Sequence, residues 1–188
     1  MPPSPDHIRA TAEAYLSRHP GEQRLLEVLF TALADTQDPT HRKTFPAHVT
    51  CSAIVLDDTD RVLHIRHNAT GKFLAPGGHV ERGDQDLVHA ALRELSEETG
   101  IPSDAVVPLQ GFETVPLDID VHEIDANPAK GEPGHQHVDF RFIFRLKAQR
   151  RVTLQSEEVS GYEWRSFRGA ASPTIRAKLA LLKRPASS

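Results

Sequence analysis

Arg93-Glu94-Leu95-Ser96-Glu97-Glu98-Thr99-Gly100 is the stretch on which the reading of this 188-residue chain turns. Advancing about 100° per residue from Glu94 puts Glu97 at about 300° and Glu98 at about 40°, so one helix face carries all three carboxylates. Val88, Ala91, Leu92 and Leu95 fall between about 60° and about 160°, an apolar stripe suited to docking on a sheet. Like charges three and four residues apart repel by a few tenths of a kcal/mol each in water, and by more when partly buried. A hard divalent cation such as Mg²⁺ offsets that repulsion, because it takes carboxylate oxygens and keeps positions for water and phosphate. A solvated acidic face is the plain alternative. The flanks favour the cation: Pro76-Gly77-Gly78 is a turn whose missing side chains let backbone approach an ion, while Gly100 and Pro102 stop the helix.

Outward from this helix, expected over 85–99, the chain alternates short β-branched and apolar runs at 48–56, 61–66, 105–115, 117–124, 136–147 and 162–167. These predict strands, and a closing helix is expected over 170–184. Residues 125–135, rich in Pro and Gly, predict a loop. Residues 6–37 predict two helical pieces broken at Pro20-Gly21, with Leu25, Leu26, Leu29, Phe30 and Leu33 at helical spacing. The length suits one catalytic domain with an extension, hence 1–43 as an N-terminal helical extension and 44–188 as the domain. The formal net charge of −4 provides no global basic field, so no nucleic-acid polymer or anionic membrane is expected as a partner. No run of about 18 apolar residues occurs and Met1 to Asp6 lacks a secretory pattern, which makes the cytoplasm the simplest expected address. The single Cys51 lies in the apolar run Val49 to Leu56, where a buried structural thiol is expected.

Gly78, Asp84 and Arg93-Glu94-Leu95-x-Glu97-Glu98-x-Gly100-Ile101 together resemble the Nudix box, G-x5-E-x7-R-E-U-x-E-E-x-G-U with U aliphatic. The resemblance extends from about Phe45 to Phe167 and leaves the N-terminal helices outside. Two departures stand out: the first acidic position is Asp84 rather than Glu, and eight residues rather than seven separate it from Arg93. Counting back from the helix puts Gln85 in that slot. Asp84 is the preferred match, with the extra residue absorbed at the entry to the helix, where Asp is also a good N-cap. The fold that the resemblance implies is α/β, a Nudix-like α/β/α sandwich around a mixed β-sheet.

The implied chemistry is Mg²⁺-dependent hydrolysis of a phosphoanhydride bond in a nucleoside diphosphate derivative, with Mn²⁺ as a substitute cation and a small-molecule nucleotide derivative as the partner. Carried over, Glu94, Glu97 and Glu98 are the metal ligands, helped by the Gly77 carbonyl. Arg93 orients these acids through charge-assisted hydrogen bonds. Glu158, six residues before Trp164, resembles the later acid of the family and is assigned as a metal ligand or general base, with Glu157 beside it. A homo-oligomer is compatible with the sequence, which carries no pattern that fixes one.

Around residue 138, period-two alternation places Val138, Phe140, Phe142 and Phe144 on one face and His135, His137, Asp139 and Arg141 on the other. The polar face is open to three uses: a transition-metal site, an exposed sheet face, or a pocket wall with His137 and Asp139 against substrate. Arg66 and His67, before the Gly71-Lys72 turn, are further candidates for meeting an anionic substrate, with solvated loop charges as the commoner alternative. Two rival functions share the fold. One is an isopentenyl-diphosphate-isomerase-like enzyme, which uses a Cys as well as acids; the other is a nucleotide-sensing module without hydrolysis, which typically lacks the box carboxylates retained here. For substrate, Pro116, 15 residues after Ile101, resembles members that cleave ADP-ribose. No tyrosine stands where the dinucleoside polyphosphate group has one, and a nucleotide sugar or oxidised nucleotide stays open.

Overall fold

The computed structural model describes residues 2–35 and 38–182. Ser4 opens the first helix, α1 (Pro5–Arg18), its side chain accepting from the His7 backbone N–H at 3.2 Å with Pro5 in the first turn. A 3₁₀ segment, Pro20–Leu26, follows before α2 (Glu27–Ala34). The break expected at Pro20-Gly21 is there, but regular helix resumes only at Glu27; Thr36 and Gln37, in the expected helix, lie outside the described residues.

The described strands form one mixed sheet. Its centre is β1 (Ala47–Leu56), which runs parallel to β7 (His135–Leu146) along its full length. On its other side β1 pairs antiparallel first with β4 (Gly77–His79) and, further along, with β2 (Arg61–His67). Outward lie β3 (Phe73–Leu74) and β8 (Val159–Ser166), both on β2, and β5 (Val106–Pro108) and β6 (Asp118–Ile124), both on β7. The strand expected over 105–115 is thus cut to three residues. Pro108 offers no N–H, and Phe112 N–H donates to the Leu109 carbonyl at 2.8 Å, turning the chain. The short β3 and β4 are below the length at which alternation can signal a strand.

Helices cover both faces. On one, Ile8, Tyr15 and Leu29 join α3 (Leu87–Thr99) residues Leu87, Ala91 and Leu95 against Val49, Cys51, Val138, Phe140 and Phe142. On the other, α4 (Pro173–Leu182) lays Ile175 and Leu179 on Ile54, Leu56 and Ile143. The result is an α/β/α sandwich in which α1 and α2 share the core of the sheet. Among the described residues no helix is long and apolar enough to cross a membrane.

The polar face of β7 is not an exposed sheet face: His135 is 6% and Asp139 5% exposed. Its lower half is an ion-pair chain. Arg141 meets Asp139 at 2.9 Å, Asp118 at 3.0 Å and Asp120 at 2.9 Å, and Lys178 of α4 meets Asp118 at 2.6 Å. Lys178 also contacts Glu22 and Tyr15, so buried charge ties α4 to the α1 layer. Removing one member of such a set strands a buried charge, which fixes these elements against one another.

Candidate active site

Helix α3 begins at Asp86, whose carboxylate accepts from the His89 N–H at 2.7 Å, and ends at Gly100 with φ 66°. That φ suits a residue without Cβ, and Thr153 packs where one would sit. The cap expected at Asp84 therefore belongs to Asp86. Asp84 instead turns inward, fully buried, and accepts from Glu81 N–H at 2.7 Å, Arg93 Nε at 3.1 Å and Arg93 Nη2 at 3.2 Å. Burial pushes its carboxyl up, but the bonds from Arg93 and Glu81 outweigh burial and hold it below the usual range. The extra residue before α3 is accommodated by this division of labour, with Asp84 bracing the loop and Asp86 starting the helix.

Arg93 is the hub. Nη1 donates to Glu94 Oε1 at 3.0 Å and Glu97 Oε2 at 2.8 Å, while Nη2 donates to the His79 carbonyl at 2.7 Å. One guanidinium thus joins the loop, β4 and two of the three box glutamates, a task its planar fork suits. Glu97 is the exposed member, whereas Glu98 is only 2% exposed. Leu87, Ala91 and Leu95 flank Glu98 on the buried face, so the acids do not merely border the docking stripe: Glu98 lies within it. Its Oε2 accepts from the Gly77 N–H at 2.9 Å. Gly78 allows a close approach to Glu94, since a Cβ there would stand 2.6 Å from its Oε1.

Burial raises Glu98 to about 8, with Gly77 pulling down and Glu94, Glu158 and Glu97 adding repulsion. Burial likewise raises Glu94 to about 7 against the pull of Arg93. Glu158, exposed, is among the charges acting on both. Its segment is tied to α3 by Gln155 N–H to the Glu98 carbonyl at 3.2 Å and Thr153 N–H to the Thr99 carbonyl at 2.8 Å. Asn68, after β2, clamps the same turn through the Ser156 and Glu157 carbonyls. Hard oxygen donors that repel one another, with Glu98 buried and Glu94 half-buried, form a set that fits a hard divalent cation.

The fold thus brings Gly77, Arg93, Glu94, Glu97, Glu98 and the Glu158 segment together. Arg66 is exposed at the end of β2, its carbonyl accepting from Ser160 Oγ at 3.4 Å, beside the Glu158 turn. His137 and Asp139 point from the other face of β7. Asp139 is engaged by Ser52 Oγ at 2.8 Å and by Arg141. His137 joins a group of imidazoles from His48, His79, His122 and His135, with neighbouring ring centroids 4.6 to 5.5 Å apart. Of these, His48, His79 and His122 were not among the sequence-predicted site residues. Their signal was weak, since 48 and 137 become neighbours only through the β1–β7 register. Cys51 is fully buried, and burial pushes its thiol well above the usual value, with the charges of Asp139, Asp84 and Glu94 adding to the effect.

A glycine turn and a three-glutamate helix set on an α/β/α sandwich define an acidic type of site whose oxygen donors suit a hard cation. The NUDIX domain family profile matches residues 46–183, and the chain belongs to the Nudix hydrolase family. It is similar to a probable DHNTP pyrophosphohydrolase of Lactococcus lactis subsp. cremoris, 34% identical over 101 residues that make up 54% of this chain and 55% of that protein. An uncharacterized Nudix hydrolase, NudL, of Salmonella newport is 48% identical over 48 residues, 26% of this chain and 24% of the relative. The chain therefore spans about half the length, or less, of the curated relatives it matches. Among solved structures, the E. coli dihydroneopterin triphosphate pyrophosphohydrolase aligns with a TM-score of 0.52 at 21% identity, covering 71% of this chain and 92% of that one. A C. elegans Ap4A hydrolase aligns with a TM-score of 0.53 at 15% identity, covering 71% and 93% respectively. At these identities the structures share the fold.

Proposed function

We propose that this chain is a pyrophosphohydrolase that cleaves a phosphoanhydride bond in a nucleoside diphosphate derivative, with Mg²⁺, or Mn²⁺ in its place, held by Glu94, Glu97, Glu98 and the Gly77 carbonyl. The observation that carries the reading is the pairing of half-buried Glu94 with buried Glu98, raised to about 7 and about 8, the first bonded by Arg93 and the second by the Gly77 N–H. Such a pair is costly unless a cation shares it. When bound, the cation supplies positive charge at the phosphate oxygens and lowers the pKa of water. The chain's own part is positioning: Arg93 orients Glu94 and Glu97, Asp84 anchors Arg93, and Glu158 takes a proton from the attacking water or adds an oxygen to the cation. Arg66, beside the Glu158 turn, is the proposed contact for substrate phosphate. Of the other proposed substrate residues, His137 stands among the imidazoles and Asp139 acts through Ser52 and Arg141.

The pyrophosphohydrolase names of the relatives support an anhydride as the bond cut; ADP-ribose-like molecules and nucleotide sugars are the proposed subclasses. The buried Cys51 argues against an isomerase that needs a reactive thiol, and the three retained carboxylates argue against a sensor without hydrolysis. Formation of a nucleoside monophosphate from a panel of nucleoside diphosphate derivatives, with and without Mg²⁺, read as phosphate freed from the monoester products by an added phosphatase, tests the proposal. Turnover of at least one panel member that requires the cation is expected, and tight nucleotide binding without any turnover defeats it.

Cation binding should also show in stability. Without cation, the folded state keeps protons on Glu94 and Glu98 that an unfolded Glu releases near about pH 4.3. Their favourable contribution is thus present below that pH and is lost as pH rises through about 7 and about 8. Mg²⁺ binds the ionised forms, so the rise in Tm on adding Mg²⁺ is expected to be larger at about pH 8.5 than at about pH 5.5. Equal rises at both would place Mg²⁺ elsewhere.

A further inference from the structure

We infer that His48, His135 and His137 form a second, imidazole-based metal site, separate from the carboxylate helix and selective for a zinc-like transition-metal ion. One ring nitrogen from each lies within 4.8 Å of the other two. A tetrahedral zinc site with Zn–N near about 2.1 Å sets its nitrogens about 3.4 Å apart, so the rings need close by no more than about 1.5 Å.

The hydrogen bonds prepare the rings for this. His48 Nδ1 lies 3.1 Å from the Thr44 carbonyl and His135 Nδ1 lies 2.8 Å from the Pro133 carbonyl. A carbonyl only accepts, so each Nδ1 carries the proton and each Nε2 keeps a lone pair, the arrangement by which backbone carbonyls orient metal-ligating histidines. Among the described residues His48 Nε2 has no hydrogen-bond partner, and it is buried in a residue 1% exposed. A buried polar atom left unpaired is costly, about 1–3 kcal/mol, and a metal ion at that lone pair removes the deficit. Protonation is a poor substitute, because burial holds His48 down to about 4, and burial together with the neighbouring imidazoles holds His137 down to about 2.

The alignment comes from the sheet. His48 and His137 are register partners on β1 and β7, with His135 one pleat along on the same face. The His79 ring centroid lies 5.2 Å from those of both His48 and His137. An ion here would brace β1 against β7 next to β4, the strand whose Gly77 meets Glu98. Three imidazole nitrogens discriminate against Mg²⁺, which prefers oxygen, and in favour of zinc.

The test is equilibrium dialysis of the full chain against Zn²⁺ with excess Mg²⁺ present to hold the carboxylate site, together with ¹⁵N spectra of the histidine rings. One Zn²⁺ per chain is expected, with the Nε2 resonances of His48 and His135 shifted. In His48→Gln and His137→Gln the zinc affinity should drop by at least about 10-fold, the low end of what losing even an outer partner costs. Glu98→Gln should bind zinc as the wild type does. No zinc uptake, ring resonances that do not move, or binding lost in Glu98→Gln and intact in His137→Gln would overturn the inference. The wild-type ring shifts decide on their own if a histidine variant fails to fold. Because the readout is zinc and not turnover, the outcome is independent of whether the hydrolase proposal holds.

Discussion

Glu98→Gln is expected to lower kcat by about 10³-fold or more while the protein stays folded, a loss in the upper range for removing one electrostatic stabiliser. The substitution is nearly isosteric. The amide oxygen can still accept from the Gly77 N–H now bonded to Glu98 Oε2 at 2.9 Å, so the link between α3 and β4 persists. What goes is the negative charge at a position 2% exposed, the most buried of the three box carboxylates. Glu98 is raised to about 8 by burial and by its acidic neighbours, so at high pH without cation its charge is unfavourable to the fold. The variant lacks that charge. Its Tm at about pH 8.5 without Mg²⁺ is therefore expected to equal or exceed the wild-type value, and its gain on adding Mg²⁺ to be smaller. Turnover and melting together separate a lost cation ligand from a damaged fold. Near wild-type turnover in the variant would mean that the helix is not the cation site.

That Glu98 sits inside the apolar stripe shows how far periodicity carried and where it stopped. A 3.6-residue repeat placed Glu94, Glu97 and Glu98 on one face beside the core, which the structure has. It could not say which acid is desolvated, because burial depends on β4, a strand of three residues with no pattern of its own. The long strands β1, β2, β6 and β7 were legible as β-branched and apolar runs of several residues, with alternation added in β7. The segment 105–115 was not, since its apolar residues fill a turn under Phe112 and Leu109 after β5 ends at Pro108. The polar alternation at His135, His137, Asp139 and Arg141 was visible, but its partners were not. His48 and Ser52 reach them across the parallel β1–β7 register, and Asp118 and His122 across β6, at sequence separations that a local reading cannot join.

The same limit applied to the loop before α3, where two candidates, Asp84 and Gln85, competed for one role. The structure divides the work between Asp84, which is buried under Arg93, and Asp86, which caps the helix. The helix and its loop are thus one electrostatic unit, in which a single cation holds Asp84, Glu94, Glu97 and a backbone carbonyl. Coupling of that kind predicts large and non-additive responses.

Arg93→Ala is accordingly expected to destabilise the protein by about 3–5 kcal/mol, since it leaves the fully buried Asp84 carboxylate without its cation. Turnover should fall by at least about 100-fold as well, because Glu94 and Glu97 lose the donor that orients them and a small displacement of a positioning group has that scale of effect. The two losses have different origins and can be separated. Asp84→Asn removes the buried charge and keeps an oxygen to accept from the Glu81 N–H, so in the Arg93→Ala background it should restore much of the stability. It cannot restore the orientation of the glutamates, so turnover should stay low. Arg93→Lys should recover part of each loss, as one ammonium group cannot reach Asp84, both glutamates and the His79 carbonyl together. The deciding quantity is the interaction free energy from the Arg93 and Asp84 double-mutant cycle, measured by denaturant unfolding. A value near zero would mean that Asp84 is held by the loop backbone rather than by Arg93, and the electrostatic unit would dissolve into independent contacts. A large value with no recovery of kcat would place Arg93 in two separate roles, bracing the loop through Asp84 and aiming the carboxylates through Glu94 and Glu97.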